Sequence, residues 1–288
     1  MGRRSRPTVH RRRLGAELRA LRQAAGLTQE AAAVEAGVHF TTIGRIESAQ
    51  TGAAEETIVT LLDIYGVAEE DPKRDLILRL SRERSMRGWW QSYEGSLNPG
   101  YAEFIALESA AAEVQTFQPL VVPGLFQTSA YARAVIGATA VDDSPETVEP
   151  LVQVRMGRQA ALVQPHGPVV TTVVHEAALR ANTVPPGVMR SQLDRLMEIA
   201  ELPNATFQVL PMAAPAHPGL TGAFQLLRFE AGPGMDVALV ELLTTSIYVD
   251  AVPEVERYAL AFQRIREMAL TAEATQDLLH RVKKEIAP

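Results

Sequence analysis

Phe40, Thr41 and Arg45 lie close together in the stretch GVHFTTIGRIE, and their side chains are compatible with groups on the edges of nucleic-acid bases. An arginine fork can grip guanine bidentately, a threonine hydroxyl can bond to several bases, and a phenyl ring can meet a thymine methyl. Catalytic chemistry has thinner support. His175-Glu176 opens an HExx pattern, but Leu179 stands where a zinc peptidase needs its second histidine. His166, His175 and His217 are the histidines that could converge on a metal, yet scattered histidines read first as structural or solvated, and no metal site is expected. Gly232-Pro233-Gly234 is a turn rather than a phosphate cradle, and no Walker sequence or nucleophile elbow occurs. Glu176 and Arg180 are spaced to pair across one helical turn. The expectation is a protein that is not an enzyme and takes no cofactor.

The elements that must position the first group are set by Leu27–Glu47, LTQEAAAVEAGVHFTTIGRIE. Thr28 can cap a short helix running to Ala36, Gly37 supplies the left-handed residue that ends it, and a second short helix begins near Phe40. Such a helix-turn-helix leaves the N-terminal turn of its second helix free to enter a DNA groove. Ala32, Val34, Val38, Ile43 and Ile46 are the expected apolar stitches between the two helices. Glu47, whose carboxylate would repel phosphates, is expected to pair with an arginine of the preceding helix instead.

That preceding helix spans about His10 to Ala25, with Leu14, Leu18 and Leu21 at helical spacing and Gly26 closing it. Glu55 to Tyr65 places Ile58, Leu61, Leu62 and Tyr65 on one face, and Pro72 opens a fifth helix with Leu76, Ile77 and Leu80 as its stripe and Arg79, Arg82, Arg84 and Arg87 elsewhere. Residues 14–87 therefore form an all-α five-helix domain. Overlapping the start of the first helix, residues 1–13 carry Arg3, Arg4, Arg6, Arg11, Arg12 and Arg13 with little apolar content. They are expected to be a mobile basic arm, either tracking phosphates or entering a minor groove, or else a solvated tail with no defined contact.

A chain of 288 residues suggests two domains, and its 47% hydrophobic content is ample for real cores. Zero cysteine excludes disulfides and thiolate metal sites and fits a reducing cytoplasm. No apolar run approaches membrane-spanning length, so a soluble, cytoplasmic protein with no membrane partner is expected. The net charge of −6 suits a nucleic-acid binder only once it is divided along the chain. Through Arg87 there are 15 Lys and Arg against 12 Asp and Glu, a net of +3, and beyond it 13 against 22, a net of −9. The first fifty residues set nine arginines against four glutamates. DNA affinity rests on local phosphate neutralisation, and an acidic second domain keeps its own end of the molecule away from DNA.

The segment 88–100, GWWQSYEGSLNPG, marks the boundary as an aromatic linker. Asn98-Pro99-Gly100 is a turn signal, whereas Trp89, Trp90 and Tyr93 are too apolar for a freely exposed linker. They either pack against the second domain or its junction, or stack on a ligand. Residues 101–288 read as an α+β domain. Helices are expected at 101–112, 128–136, 145–162, 185–202, 254–269 and 272–286, with β-like stretches at 113–122, 169–175, 206–210, 223–229, 237–243 and 247–249. A mixed sheet of about five strands with helices on at least one face follows.

LGAELRALRQAAGLTQ, GVHFTTIGRIE and LLDIYGV resemble the Xre or Cro/C1-type helix-turn-helix family. Trp89-Trp90 and Tyr93, FQPLVVPGLFQTSAYARAV from Phe117, RMGRQAAL from Arg155, VVHEAALR from Val173 and IYVDAVPEVERYALAFQRIREMAL near the end resemble the DUF5753 domain that follows such modules in many actinobacterial regulators. The first resemblance implies that Gln29 and Thr42 position the DNA backbone and that Phe40, Thr41 and Arg45 meet base edges. His39 departs from it, standing where the family usually offers a Ser cap, and Gly44 sits inside the recognition helix at a cost of roughly 1 kcal/mol relative to Ala. Each departure means either close approach to the DNA backbone or a weaker, less ordered reader. His39 is kept among the DNA-binding candidates with Arg11, Arg12 and Arg13.

Double-stranded DNA is the expected partner, bound by a homodimer on two half-sites. The family also implies a small DUF397-type protein partner in an antitoxin-like or developmental arrangement, for which the second domain is the effector, partner-binding and dimerisation part. A small-molecule sensor with a pocket near Trp89, Trp90 or Tyr93 and an enzyme on a DNA-binding tether are the competing readings.

Overall fold

The structure, a computed structural model, describes residues 8–82, 89–93, 95, 97, 99–139, 145–164, 167–230 and 233–286. The chain forms two compact units, residues 1–87 with 231–235, and residues 88–230 with 236–288. The expected basic residues Arg3, Arg4, Arg6, Arg84 and Arg87, together with His166, Asn98 and Gly232, lie outside the described residues.

The first unit is helical, as its apolar spacing requires. Its five helices are α1 (Val9–Ala24), α2 (Gln29–Glu35), α3 (Phe40–Glu47), α4 (Glu55–Ile64) and α5 (Pro72–Arg82). α1 starts at Val9, within a residue of the expected helix and inside the expected arm. The Thr8 hydroxyl accepts the Arg11 backbone N–H at 3.3 Å, and Val9 is fully buried, so burial of the first turn favours helix over an arm. Arg11, Arg12 and Arg13 are therefore helical residues, and an arm extending to residue 13 does not fit the structure.

Thr28 caps α2 by accepting the Ala31 N–H at 3.1 Å, and Gly37 takes φ +64° in the turn that follows. Ala at that position would pay about 1–2 kcal/mol for the same backbone. Leu14, Leu18, Ile43, Ile46, Ile58, Leu61, Leu62 and Ile77 are buried and make the core. Val34 is not a stitch: it is 81% exposed, and Ala33 is buried beside Ala32 instead. Successive residues of a helix point about 100° apart, so a helix of 7 residues cannot bury both Ala32 and Val34 on one narrow seam.

The second unit is α+β. Its helices are α6 (Pro99–Ala110), α7 (Ser129–Thr139), α8 (Pro145–Arg158), α9 (Ala177–Arg180), α10 (Pro186–Ile199), α11 (Val252–Met268) and α12 (Ala272–Glu285). Six strands, rather than five, build one sheet in the order β3-β2-β1-β4-β5-β6. They are β1 (Glu113–Gln118), β2 (Val169–His175), β3 (Ala205–Leu210), β4 (Phe224–Arg228), β5 (Val237–Glu241) and β6 (Ser246–Val249). β1, β2 and β3 run parallel, with Val114 opposite Val170 and Val170 opposite Ala205, and helices form the crossovers that parallel pairing needs. β4, β5 and β6 continue antiparallel to their neighbours.

One sheet face packs Phe117, Val173, Leu210, Phe224 and Leu226 against Val255, Phe262 and Ile265 of α11. Alternation sends Val114, Val170 and Phe207 to the other face, where Phe126 meets the Phe207 ring at 6.1 Å. Pro99 opens α6 rather than lying in a turn, and the α8 segment tightens into a 3-10 turn from Gln159 to Val163.

Candidate nucleic-acid interface

An ion pair joins α3 to α1. Arg22 donates from Nε to Glu47 Oε1 at 2.6 Å and from Nη2 to Glu47 Oε2 at 3.0 Å, and its Nη1 donates to the Leu27 carbonyl at 2.7 Å. The Glu47 hydrogen bond raises the Arg22 pKa, outweighing burial. Glu47 thus pairs with an arginine of the first helix, as its charge requires.

The same carboxylate positions Gln29. Gln29 Nε2 donates to Glu47 Oε2 at 2.9 Å, which fixes the amide at the start of α2. A methyl group on Gly44 would come 3.1 Å from Gln29 Oε1. Gly44 is therefore where the recognition helix makes room for the Gln29 side chain, and its helix-propensity cost has this local cause.

His39 takes over the capping role of the missing serine. Its Nδ1 lies 3.4 Å from the Thr41 backbone N and 2.9 Å from Thr41 Oγ1, while its ring meets Phe40 at 4.6 Å. At these distances the contact to the Thr41 hydroxyl is the tighter of the two. His39, Thr41 and Arg45 are exposed, Phe40 is 57% exposed, and Thr42 is half-buried. Thr41 and Arg45 share a helix face at i and i+4 spacing. The described residues give the Arg45 guanidinium no hydrogen bond, so all its donors remain available.

The remaining basic candidates separate. Arg11 and Arg12 are half-buried on α1, whereas Arg13 is only 8% exposed and its Nη1 is buried without a partner. Arg13 therefore presents little of its side chain to solvent.

In the second unit, residues 89–93 of the aromatic segment are packed. Trp89–Tyr93 is a 3-10 helix with Trp90 buried and Trp89 43% exposed. Trp89 lies edge-on to Trp90 and Tyr93 at 6.0 and 6.4 Å and against α8, where a methyl on Gly157 would fall 2.5 Å from its ring. Packing thus accounts for Trp89 and Trp90.

The motifs at 117–135 and 155–162 converge on one loop. Gln127 Nε2 donates to the Val122 carbonyl at 2.6 Å, Tyr131 accepts the Val122 N–H at 3.2 Å, and Gln159 donates to the carbonyls of Gly124 and Gln127 at 3.0 and 2.7 Å. Gln192 of α10 donates to the Phe126 carbonyl and accepts the Thr128 N–H, each at 2.7 Å. Nearby, Arg158 holds Glu108 through two bonds of 2.7 Å, with side chains 6% exposed on both sides, and donates to Tyr101 at 2.9 Å. Burial pulls the Arg158 pKa down, but Glu108 and Tyr101 outweigh it and the net shift is upward. Gln127, Tyr131, Gln159 and Gln192 thus complete the hydrogen bonds of backbone groups in this loop, whereas Arg158 and Glu108 satisfy each other. Sequence reasoning missed them as long-range partners because a glutamine's partner is set by the fold.

The catalytic and metal alternatives find little geometry. His175 and His217 stack at 6.2 Å, and His175 Nδ1 accepts the Ala177 N–H at 3.2 Å. Glu176 is occupied by Arg180 at 2.6 Å and by the Met212 N–H at 2.9 Å. Burial raises the Glu176 pKa, but these partners outweigh it and hold it below the ordinary carboxylate value. Among the described residues no group of three or more His, Cys, Asp or Glu is placed to hold a metal ion, and no helix is long and apolar enough to cross a membrane.

A family model described as a helix-turn-helix domain matches residues 13–76, and one described as a domain of unknown function, DUF5753, matches residues 101–281. Neither a curated protein nor a solved structure matches the chain.

Proposed function

For a chain that belongs to the DUF5753 family and carries a helix-turn-helix domain ahead of that region, we propose a sequence-specific DNA-binding transcriptional regulator of Xre type rather than an enzyme. The observation that carries this reading is the exposed face of α3. There Thr41 and an unengaged Arg45 are exposed, and Gln29, whose amide is anchored through Glu47 to α1, lies against Gly44 of the same helix. Arg45, Thr41 and Phe40 read base edges, and Gln29, His39 and Thr42 hold the DNA backbone, with Arg11 and Arg12 adding positive charge. The net +3 of residues 1–87 against −9 beyond them supports contact through the first unit.

The protein acts in the cytoplasm as a homodimer on paired half-sites, because one helix-turn-helix unit binds weakly. The DUF5753 region receives the signal, and the family resemblance points to a small DUF397-type protein as its source. A small-molecule signal is the second reading, favoured by a cavity in the second unit. Binding of the full chain to its own upstream DNA, measured against scrambled DNA over a range of salt, tests the proposal. Salt-sensitive binding stronger on the upstream fragment supports it, and its absence removes the DNA-reading role.

A further inference from the structure

The cavity lies between the segment that follows α9 and the last turn of α12 and measures about 340 Å³, within the range of small-ligand sites. Leu179, Val184, Met189 and Val282 give it an apolar wall, and Arg180 and Asn182 give it a polar end. Arg180 Nε donates to Glu176 at 2.6 Å and Nη1 pairs with Glu285, while its Nη2 has no partner among the described residues. The Asn182 amide is exposed and likewise has no partner among them.

The two free groups define the head of a ligand. Nη2 offers donors only, and the amide offers both donors and an acceptor. Glu176 and Glu285 already set two negative charges against the one positive charge of Arg180. A carboxylate head is therefore repelled, and an ammonium head, although drawn to Glu285 in the lining, leaves Nη2 without an acceptor. What fits is a neutral carbonyl.

We propose that this cavity binds a small molecule with an aliphatic body and an uncharged carbonyl head, the carbonyl accepting from Arg180 Nη2 and the head bonding to Asn182. This deepens the reading of the DUF5753 region as the signal-receiving part. The ligand ties the segment after α9 to the end of α12, and through Arg180 it touches Glu176, which also holds the Met212 backbone.

The test uses the full chain without DNA, so its outcome is separate from that of the DNA-binding reading. Octanamide, octanoate and octylamine are titrated by calorimetry and by thermal shift. Saturable binding of octanamide, with the two charged analogues at least about tenfold weaker, is expected. Ala181 is exposed with an extended backbone and lines the cavity, so Ala181→Trp blocks it without entering the core and should abolish binding. Asn182→Ala should weaken it about fivefold while the protein stays folded. No saturable octanamide binding, equal or tighter binding of either charged analogue, or unchanged binding in Ala181→Trp would overturn the proposal.

Discussion

Replacing Glu47 with Ala leaves the Arg22 guanidinium buried without the two carboxylate bonds, of 2.6 and 3.0 Å, that compensate its charge. Their side chains are 9% and 3% exposed, so water cannot replace the lost partner freely. Removing one member of a buried pair costs about 3–5 kcal/mol. The bond from Nη1 to the Leu27 carbonyl survives, which places the expected loss near the lower end, about 3 kcal/mol. For a helical unit of this size each kcal/mol moves Tm by about 4–8 °C, so its transition should fall by roughly 12–24 °C in far-UV circular dichroism. The double variant Arg22→Met with Glu47→Leu removes both charges and should recover most of the loss. Glu47→Ala should also weaken DNA binding at temperatures where the unit remains folded, because Gln29 loses its anchor. A loss below about 1 kcal/mol, or a double variant no more stable than Glu47→Ala alone, would refute the assignment of this pair as the strut behind α3.

Gly44→Ala removes a helix-interior glycine and should raise stability by up to about 1 kcal/mol in urea unfolding. It should weaken DNA binding, because the new methyl displaces the Gln29 amide, 3.1 Å away. Tyr65 has a buried hydroxyl with no hydrogen-bond partner, and burial followed by the nearby Glu47 charge pushes its pKa up to about 12. Tyr65→Phe should therefore stabilise the unit by about 1 kcal/mol, and clear destabilisation in thermal melts would contradict this. Glu176 has a pKa lowered on folding, so its contribution is present above the unfolded carboxylate value and is lost as pH falls through the folded one. Glu176→Gln should flatten the acid side of the stability profile below about pH 4.5 and leave its neutral side less affected.

The helix-turn-helix was legible because capping and turning are local. Thr28 and Gly37 meet requirements set by their immediate neighbours. Residues whose role depends on distant partners were less legible. Basic composition alone put Arg11, Arg12 and Arg13 in an arm, whereas burial of Val9 draws them into α1. Val34 and Ala33 are both apolar enough for a seam, and only the rotation of a short helix decides between them. The reason for Gly44 lies in Gln29, a residue fifteen positions away whose approach only the fold sets. In the second unit the alternating apolar runs marked the strands, but the strand order and the partners of Gln127, Gln159 and Gln192 arise from pairing across the fold.

The most direct measurement is fluorescence anisotropy of the chain's own upstream DNA with the wild type and with Arg45→Ala, from about 50 to 200 mM salt. Arg45 is exposed and its guanidinium has no hydrogen bond among the described residues, so removing the side chain should leave the thermal melt unchanged. The expected result is salt-sensitive wild-type binding that discriminates against scrambled DNA, with Arg45→Ala losing about 1–3 kcal/mol on the specific fragment and little on the scrambled one. Equal binding of both fragments by the wild type, or no salt-sensitive binding at all, would contradict a sequence-reading role for α3.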